Sequence, residues 1–250
     1  MKRKTLISGI LMMATCFALS FSLSGCNQEQ KSTDEQFMES LVSGLEARWS
    51  TYDSEGDNST QEDLDAALKK EKEAVSSYRD ADFENDELKS HVDEYLGALD
   101  ELNASDAFSA AGYDKWSRSY NARVAALYKI DQLSKIEVDE SSQDELDEIL
   151  YDGKAASRAI EIMQQAKFKA EKPEYEGQTW TECTATVENT TGIDFSFFRF
   201  TINLVDKDGV TLETTYASTD DWTAGSKHKF QFTTDEKYKT IEISSVGWNL

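Results

Sequence analysis

The hydrophobic period of this chain changes once, and the change falls at its only proline. From Phe37 to Met163 apolar residues recur at intervals of three and four, whereas from Cys183 to Ile243 they recur at intervals of two. A helix returns to one face every 3.6 residues and a strand every second residue, so a segment written in one period cannot bury its apolar side in the other. Pro173, in Glu171-Lys172-Pro173-Glu174, lies where the first pattern has faded and the second is about to start. Helices first and strands last predict an α+β chain, with an acidic antiparallel helical bundle over residues 34–170 and a small antiparallel β-sandwich over 171–250.

The residues ahead of both patterns read as an export signal. Lys2-Arg3-Lys4 is a positive start, and Thr5 to Phe21 is an apolar run containing Ile7, Ile10, Leu11, Met12, Met13, Phe17, Leu19 and Phe21. The run is shorter than the roughly 20 residues of a spanning helix, which argues against a retained transmembrane segment. Where it ends, Leu23-Ser24-Gly25-Cys26 resembles a bacterial lipobox, a leucine and two small residues before the thiol that lipidation requires. The resemblance implies a signal peptide over residues 1–25, cleavage before Cys26, and a diacylglyceryl group on its sulfur. Residues 26–33 are then a polar tether holding the body to the extracellular face of the cell membrane. Anchoring by several acyl chains, palmitate among them, is firm because each buried methylene contributes about 0.8 kcal/mol.

Charge narrows the partners. With 26 basic and 48 acidic residues the formal charge is −22, and it falls to −25 when the three basic residues of the signal leave. Nucleic acid is excluded as a partner, since Lys and Arg must neutralise phosphates, and so is lying flat on an anionic lipid surface. Of three cysteines, Cys16 leaves with the signal and Cys26 takes the lipid, so Cys183 has no internal partner and stability must come from packing.

Within the helical part, Phe37, Met38, Leu41, Val42, Leu45 and Trp49 form a first stripe behind a Thr33–Gln36 capping box. The acidic stretch Tyr52 to Thr60 reads as a solvated loop; it lacks the calcium-loop spacing, because counting from Asp53 the glycine falls at the fourth position rather than the sixth. A Ser59–Glu62 box then precedes Leu64, Ala67, Leu68, Ala74, Val75 and Tyr78. A third stripe carries Leu88, Val92, Tyr95, Leu96, Leu99 and Leu102, and a fourth, from about Tyr113 to Leu133, carries Trp116, Tyr120, Val124, Leu127 and Ile130. A fifth, behind a Ser142–Glu145 box, carries Leu146, Ile149, Leu150, Ala156, Ile160 and Met163.

In the strand part Cys183, Ala185 and Val187 alternate with polar residues, as do Phe198, Phe200, Ile202 and Leu204. Asp206-Lys207-Asp208-Gly209 reads as a hairpin connection leading to a return strand through Val210, Leu212 and Thr214. Ala224-Gly225 reads as a turn after Trp222, and Phe230 with Phe232 and Ile241 with Ile243 as the closing pair of strands. Three segments, Val187-Glu188-Asn189-Thr190-Thr191, Phe200 through Asp206 to Gly209, and Trp222-Thr223-Ala224-Gly225 before Phe230-Gln231-Phe232, resemble the FxLyD-type domain of cell-surface lipoproteins from Gram-positive bacteria. In the namesake run Leu204 and Asp206 match, while Ile202 replaces the Phe and Val205 the Tyr. The lipobox, the acidic helical region with Arg48-Trp49 near its start, and the terminal β module also look like a group of Firmicutes lipoproteins. The resemblance implies an immunoglobulin-like sandwich and an envelope location, and carries over no catalytic residue.

A search for chemistry finds no nucleophile, cofactor or metal constellation. His91 with Glu87 and Glu94 shares a helical side but reads as a solvated face, and His228 between Lys227 and Lys229 reads as a surface turn. Ser226 and Lys229 have Ser-x-x-Lys spacing without the accompanying motifs, and Cys183 on an inward strand position lacks a nearby base. Carboxylates are too abundant to mark a glycosidase pair. Trp49, Trp116 and Tyr120 read as core, although an exposed aromatic pair would form a saccharide platform. The expectation is therefore a non-enzymatic, lipid-anchored envelope protein, without catalytic, cofactor or metal residues, that displays its β module to another envelope protein or a wall polymer. A solute-binding lipoprotein of a transporter and an envelope hydrolase are the alternatives.

Overall fold

The structure is a computed structural model, and it describes residues 31–53, 60–109 and 112–250. The stretch Leu23-Ser24-Gly25-Cys26 and the centre of the acidic loop after Asp53 lie outside the described residues. Five α-helices come first: α1 (Thr33–Asp53), α2 (Gln61–Val75), α3 (Asp86–Asn103), α4 (Tyr113–Leu133) and α5 (Gln143–Gln165). Six strands follow: β1 (Lys169–Ala170), β2 (Thr181–Glu188), β3 (Phe195–Val205), β4 (Thr211–Trp222), β5 (Lys227–Thr234) and β6 (Thr240–Asn249). The strands form two three-stranded antiparallel sheets, ordered β1-β2-β5 and β4-β3-β6. The fold class is thus α+β, and Ser32–Leu250 forms one compact unit.

The apolar stripes do bury as their periods require, but the helix starts differ from expectation. Helix α1 is capped by Ser32 and Glu35, not Thr33 and Gln36. The Ser32 hydroxyl accepts from the Glu35 amide at 3.1 Å and the Glu35 carboxylate accepts from the Ser32 amide at 3.0 Å. A carboxylate accepts more strongly than an amide oxygen and favours the positive helix start, so the cap settles one residue earlier. Helix α2 uses Thr60 and Asp63 in the same way, with Ser59 outside the described residues. The Ser142–Glu145 box does not form. A 3-10 turn, Glu140–Ser142, runs into α5, and Ser142 makes no side-chain cap bond.

Two apolar clusters divide the interior. One holds Phe37, Leu41, Leu45 and Trp49 of α1 with the stripes of α2, α3 and α4 and with Leu146 and Ile149 of α5. The second holds the inner faces of both sheets together with Ala155, Ala159, Ile162 and Ala166. Helix α5 therefore serves both clusters, with Leu146, Ile149 and Ala156 turned to the helices and Ala155, Ala159 and Ile162 to the sheets. Small residues make this double role possible by letting α5 approach closely: an added Cβ on Gly153 would lie 2.2 Å from the Val124 carbonyl oxygen of α4 and 2.9 Å from Tyr128 Cβ.

Between the sheets, rings meet edge to face. Phe230 of β5 stands 4.8 Å from Phe200 and 5.1 Å from Trp222, and Phe198 stands 5.0 Å from Trp222. Such pairs contribute about 0.5–1.5 kcal/mol beyond area burial. Cys183 points inward as its alternation implies, fully buried. The Asp206–Gly209 connection forms with Gly209 at φ +81°, and Gly225 turns at φ +76°. Asn189 joins two of the segments that carry the sequence resemblance. Its Nδ2 donates to the Ile193 and Trp222 carbonyls, both at 2.9 Å, and its carbonyl accepts from Gly225 at 2.7 Å. The closing strands are not partners of each other. β5 pairs with β2 and β6 pairs with β3, because a turn after Thr234 carries the chain from one sheet to the other.

Alanine is about 1 kcal/mol better than glycine in a helix interior. Gly153→Ala should nevertheless destabilise the protein, by about 2–4 kcal/mol in urea unfolding, because the α4–α5 backbone contact has no room for a methyl group. A neutral or stabilising result would show that the two helices separate at little cost.

Candidate functional site

Two constellations stand out, one buried and one open. The buried one is built from one residue on each of four helices. Glu71, on the apolar stripe of α2, is fully buried; Arg48 of α1 and Arg123 of α4 are 6% and 0% exposed, and Tyr95 of α3 is fully buried. Arg48 Nη1 donates to Glu71 Oε2 at 2.7 Å, Arg123 Nε donates to Oε1 at 2.7 Å, and the Tyr95 hydroxyl donates to Oε1. Arg123 Nη2 also lies 2.7 Å from Oε1, but off the axis of its N–H bonds, so it is a charge contact rather than a hydrogen bond.

Burial by itself would raise the Glu71 pKa. Arg123, then Arg48, then the Tyr95 hydrogen bond outweigh it and hold the carboxyl below its usual value. Burial, reinforced by the Glu71 charge, pushes the Tyr95 hydroxyl well up, so it stays a proton donor. The group is fully enclosed among helix cores, so it can fix helix register but offers no face to a substrate.

The open constellation is a cleft of about 280 Å³ where the first two turns of α4 lie over the outer face of β4-β3-β6. Tyr113, Asp114, Ser117 and Arg118 line the α4 side, at the i, i+1, i+4 and i+5 spacing of a single helical face. From the sheet come Phe197, Arg199 and Thr201 of β3, Tyr216 of β4, and Ser245 to Asn249 of β6. Register explains this set. Phe198, Phe200 and Ile202 face the core, so the odd-numbered residues of β3 face out. Arg199 lies opposite Ser218 and Gly247, and Thr201 opposite Tyr216 and Ser245. The Arg199 guanidinium stacks on Tyr216 at 4.7 Å, while its Nε is buried with no hydrogen-bond partner. Four of the six described arginines form ion pairs: Arg48 and Arg123 with Glu71, Arg79 with Asp100, and Arg158 with Glu161. Arg118 and Arg199, the two lining the cleft, have no ion pair among the described residues. Beside the cleft Tyr113, Trp116 and Tyr120 stack along α4 with centroids 6.1 and 5.3 Å apart.

The other sequence candidates are placed elsewhere. Glu94 lies 3.2 Å from His91 Nδ1 and 3.0 Å from Lys129 Nζ, so an ammonium sits where a metal would compete. His228 is on strand β5 rather than in a turn; its ring packs on Phe230 at 4.8 Å, with Nδ1 3.3 Å from the Thr219 hydroxyl. Ser226 donates to the Thr223 carbonyl, and Lys229 lies 3.9 Å from Glu171 and Glu182, so the two do not form a nucleophile and base. The Cys183 thiol, raised by burial first, lies 3.1 Å from the Tyr238 hydroxyl. Trp49 and Arg48 belong to the helical interior. Sequence reasoning missed Glu71 and Arg123; the available signal was a charge interrupting an apolar stripe on each of two helices. It also missed Arg199, whose signal was a cation on the middle strand of a module with few cations.

No family model matches the chain, and neither does any curated protein. Among solved structures, the Pseudomonas fluorescens alkylpurine DNA glycosylase AlkC bound to DNA containing an abasic site analog is similar at 12% identity, over 82% of this chain and 75% of that one, with a TM-score of 0.17. A likeness that slight carries no argument.

Removing the Glu71 charge by Glu71→Gln should cost about 3–5 kcal/mol, because both arginines are left buried without a counter-ion. Replacing Arg48, Glu71 and Arg123 together by methionine should recover most of that loss. A carboxyl lowered in the folded state contributes stability above its unfolded pKa, and that contribution is lost as pH falls through the folded value. Acid unfolding followed by circular dichroism should therefore lose one acid-side component in the triple variant. An unchanged profile would remove Glu71 from the account of acid stability.

Proposed function

We propose that the protein is a non-enzymatic, lipid-anchored cell-envelope protein. In this reading, lipid on Cys26 holds an antiparallel helical bundle at the extracellular face, and the bundle carries an immunoglobulin-like sandwich of the FxLyD type for contact with another envelope protein or a wall polymer. The lipobox-like Leu23-Ser24-Gly25-Cys26 supports the anchor. The observation that carries the contact role is the cleft at the α4–sheet junction, where two arginines form no ion pair among the described residues of a chain holding 48 acidic residues. In so acidic a protein a stray cation is readily paired, and two left open in one cleft on different elements favour a partner from outside. One carboxylate, Asp114, lines that cleft, which weighs against a paired-carboxylate hydrolase there.

Cys26→Ala should abolish incorporation of labelled palmitate in a Gram-positive host and move the protein from the membrane fraction to the medium. Continued membrane association without the label would overturn the anchor.

A further inference from the structure

We infer that the α4–sheet cleft binds a saccharide unit bearing a carboxylate or phosphate group. This rests on the contact role proposed above for the same cleft, but not on the lipid anchor.

Charge comes first. A guanidinium from the helix, Arg118, and one from the sheet, Arg199, face the same 280 Å³ space against a single lining carboxylate, Asp114. Arg199 is held ready: its Cζ lies over the Tyr216 ring, its Nε is enclosed without a partner, and Gly247 beside it leaves open the space a side chain would fill, since an added Cβ would stand 3.9 Å from Nη2. A buried donor without an acceptor carries a standing cost that an incoming oxyanion removes, and guanidinium is the side chain whose fork matches a carboxylate or phosphate. The formal charge of −22 repels anions in general, so an anion that binds here binds through local groups and not through the field of the whole protein.

The rest of the lining selects a sugar as the carrier of that charge. Tyr216, 52% exposed, presents ring surface, while Ser117, Thr201 and Ser245 add hydroxyls to the lining. Aromatic planes accept the C–H face of a sugar ring and hydroxyls exchange hydrogen bonds with its rim. Trp248 and Asn249 of the cleft lining also border a second hollow with Asn121, Asp152 and Leu250.

The test uses the full chain in a polyoxyethylene detergent, which carries no sugar headgroup. Trigalacturonic acid and mannose 6-phosphate are the anionic probes, and cellotriose is the neutral one, each titrated by calorimetry and by tryptophan fluorescence. At least one anionic probe should bind with Kd of about 1 mM or tighter, and cellotriose at least about tenfold more weakly. Which anionic probe binds decides between carboxylate and phosphate. Arg199→Gln and Arg118→Gln should each weaken that binding about tenfold or more. Trp248→Phe should remove the fluorescence response. Arg199→Gln also removes the contact with Tyr216, so its melting temperature is read alongside the binding; should it fail to fold, the exposed Arg118→Gln decides alone. Equal binding of cellotriose, absence of binding by both anionic probes at about 10 mM, or full binding by Arg118→Gln would overturn the inference. The binding is read in solution and the anchor by fractionation of Cys26→Ala, so either can fail without the other.

Discussion

One carboxylate sets the register of the helical half. Glu71 is fully buried and receives Arg48, Tyr95 and Arg123 from three other helices. The desolvation cost of an isolated buried ion is several kcal/mol, so the arrangement persists only where each partner arrives within hydrogen-bond reach. Sliding any one helix by a turn would move its partner about 5.4 Å and leave a charge alone in an apolar interior. Apolar stripes alone tolerate such sliding far better, since leucine against leucine is similar in neighbouring registers. The ionic centre thus adds uniqueness to a packing that the hydrophobic pattern leaves loosely specified.

The position of the sheets follows from α5. That helix contributes Leu146, Ile149 and Ala156 to the helical interior and Ala155, Ala159 and Ile162 to the interior shared with the sheets. Its Gly153, at the changeover, lets α4 approach within backbone contact. Because α4 is held against α5, its first turns come to lie over the outer face of β4-β3-β6, and the cleft is the space left between them. The cleft is therefore a consequence of how the helices are fixed, and its two arginines are brought together by elements that are 81 residues apart at Arg118 and Arg199.

Acidity and the cleft are two sides of one electrostatic arrangement. Most described arginines are consumed by ion pairs, two of them at Glu71, and the exposed surface is dominated by carboxylates. A surface of that sign keeps the molecule soluble and repels anions beyond a Debye length of about 10 Å, inside which local groups decide. Arg118 and Arg199, without ion pairs among the described residues, form the exception on which the proposed ligand depends.

Much of the architecture was legible in the residues. The change from a 3.6-residue to a two-residue period placed five helices before the strands, and the alternation at Phe198, Phe200, Ile202 and Leu204 named the buried face of β3. Gly209 and Gly225 marked turns because a positive φ costs them little. Caps were less legible: Ser32 and Thr33 are chemically alike, and a hydrogen-bond competition one residue wide chose between them. Strand partnership was not legible, since Phe230 and Ile241 carry the same alternating signal yet enter different sheets. What the sequence determined by itself is everything governed by local periodicity, namely element type, inward face and turn position. The tertiary structure alone decided that Glu71 meets two arginines and that Arg118 and Arg199 line one cleft, because those arrangements join residues distant in the chain, and no local pattern encodes a distance between elements.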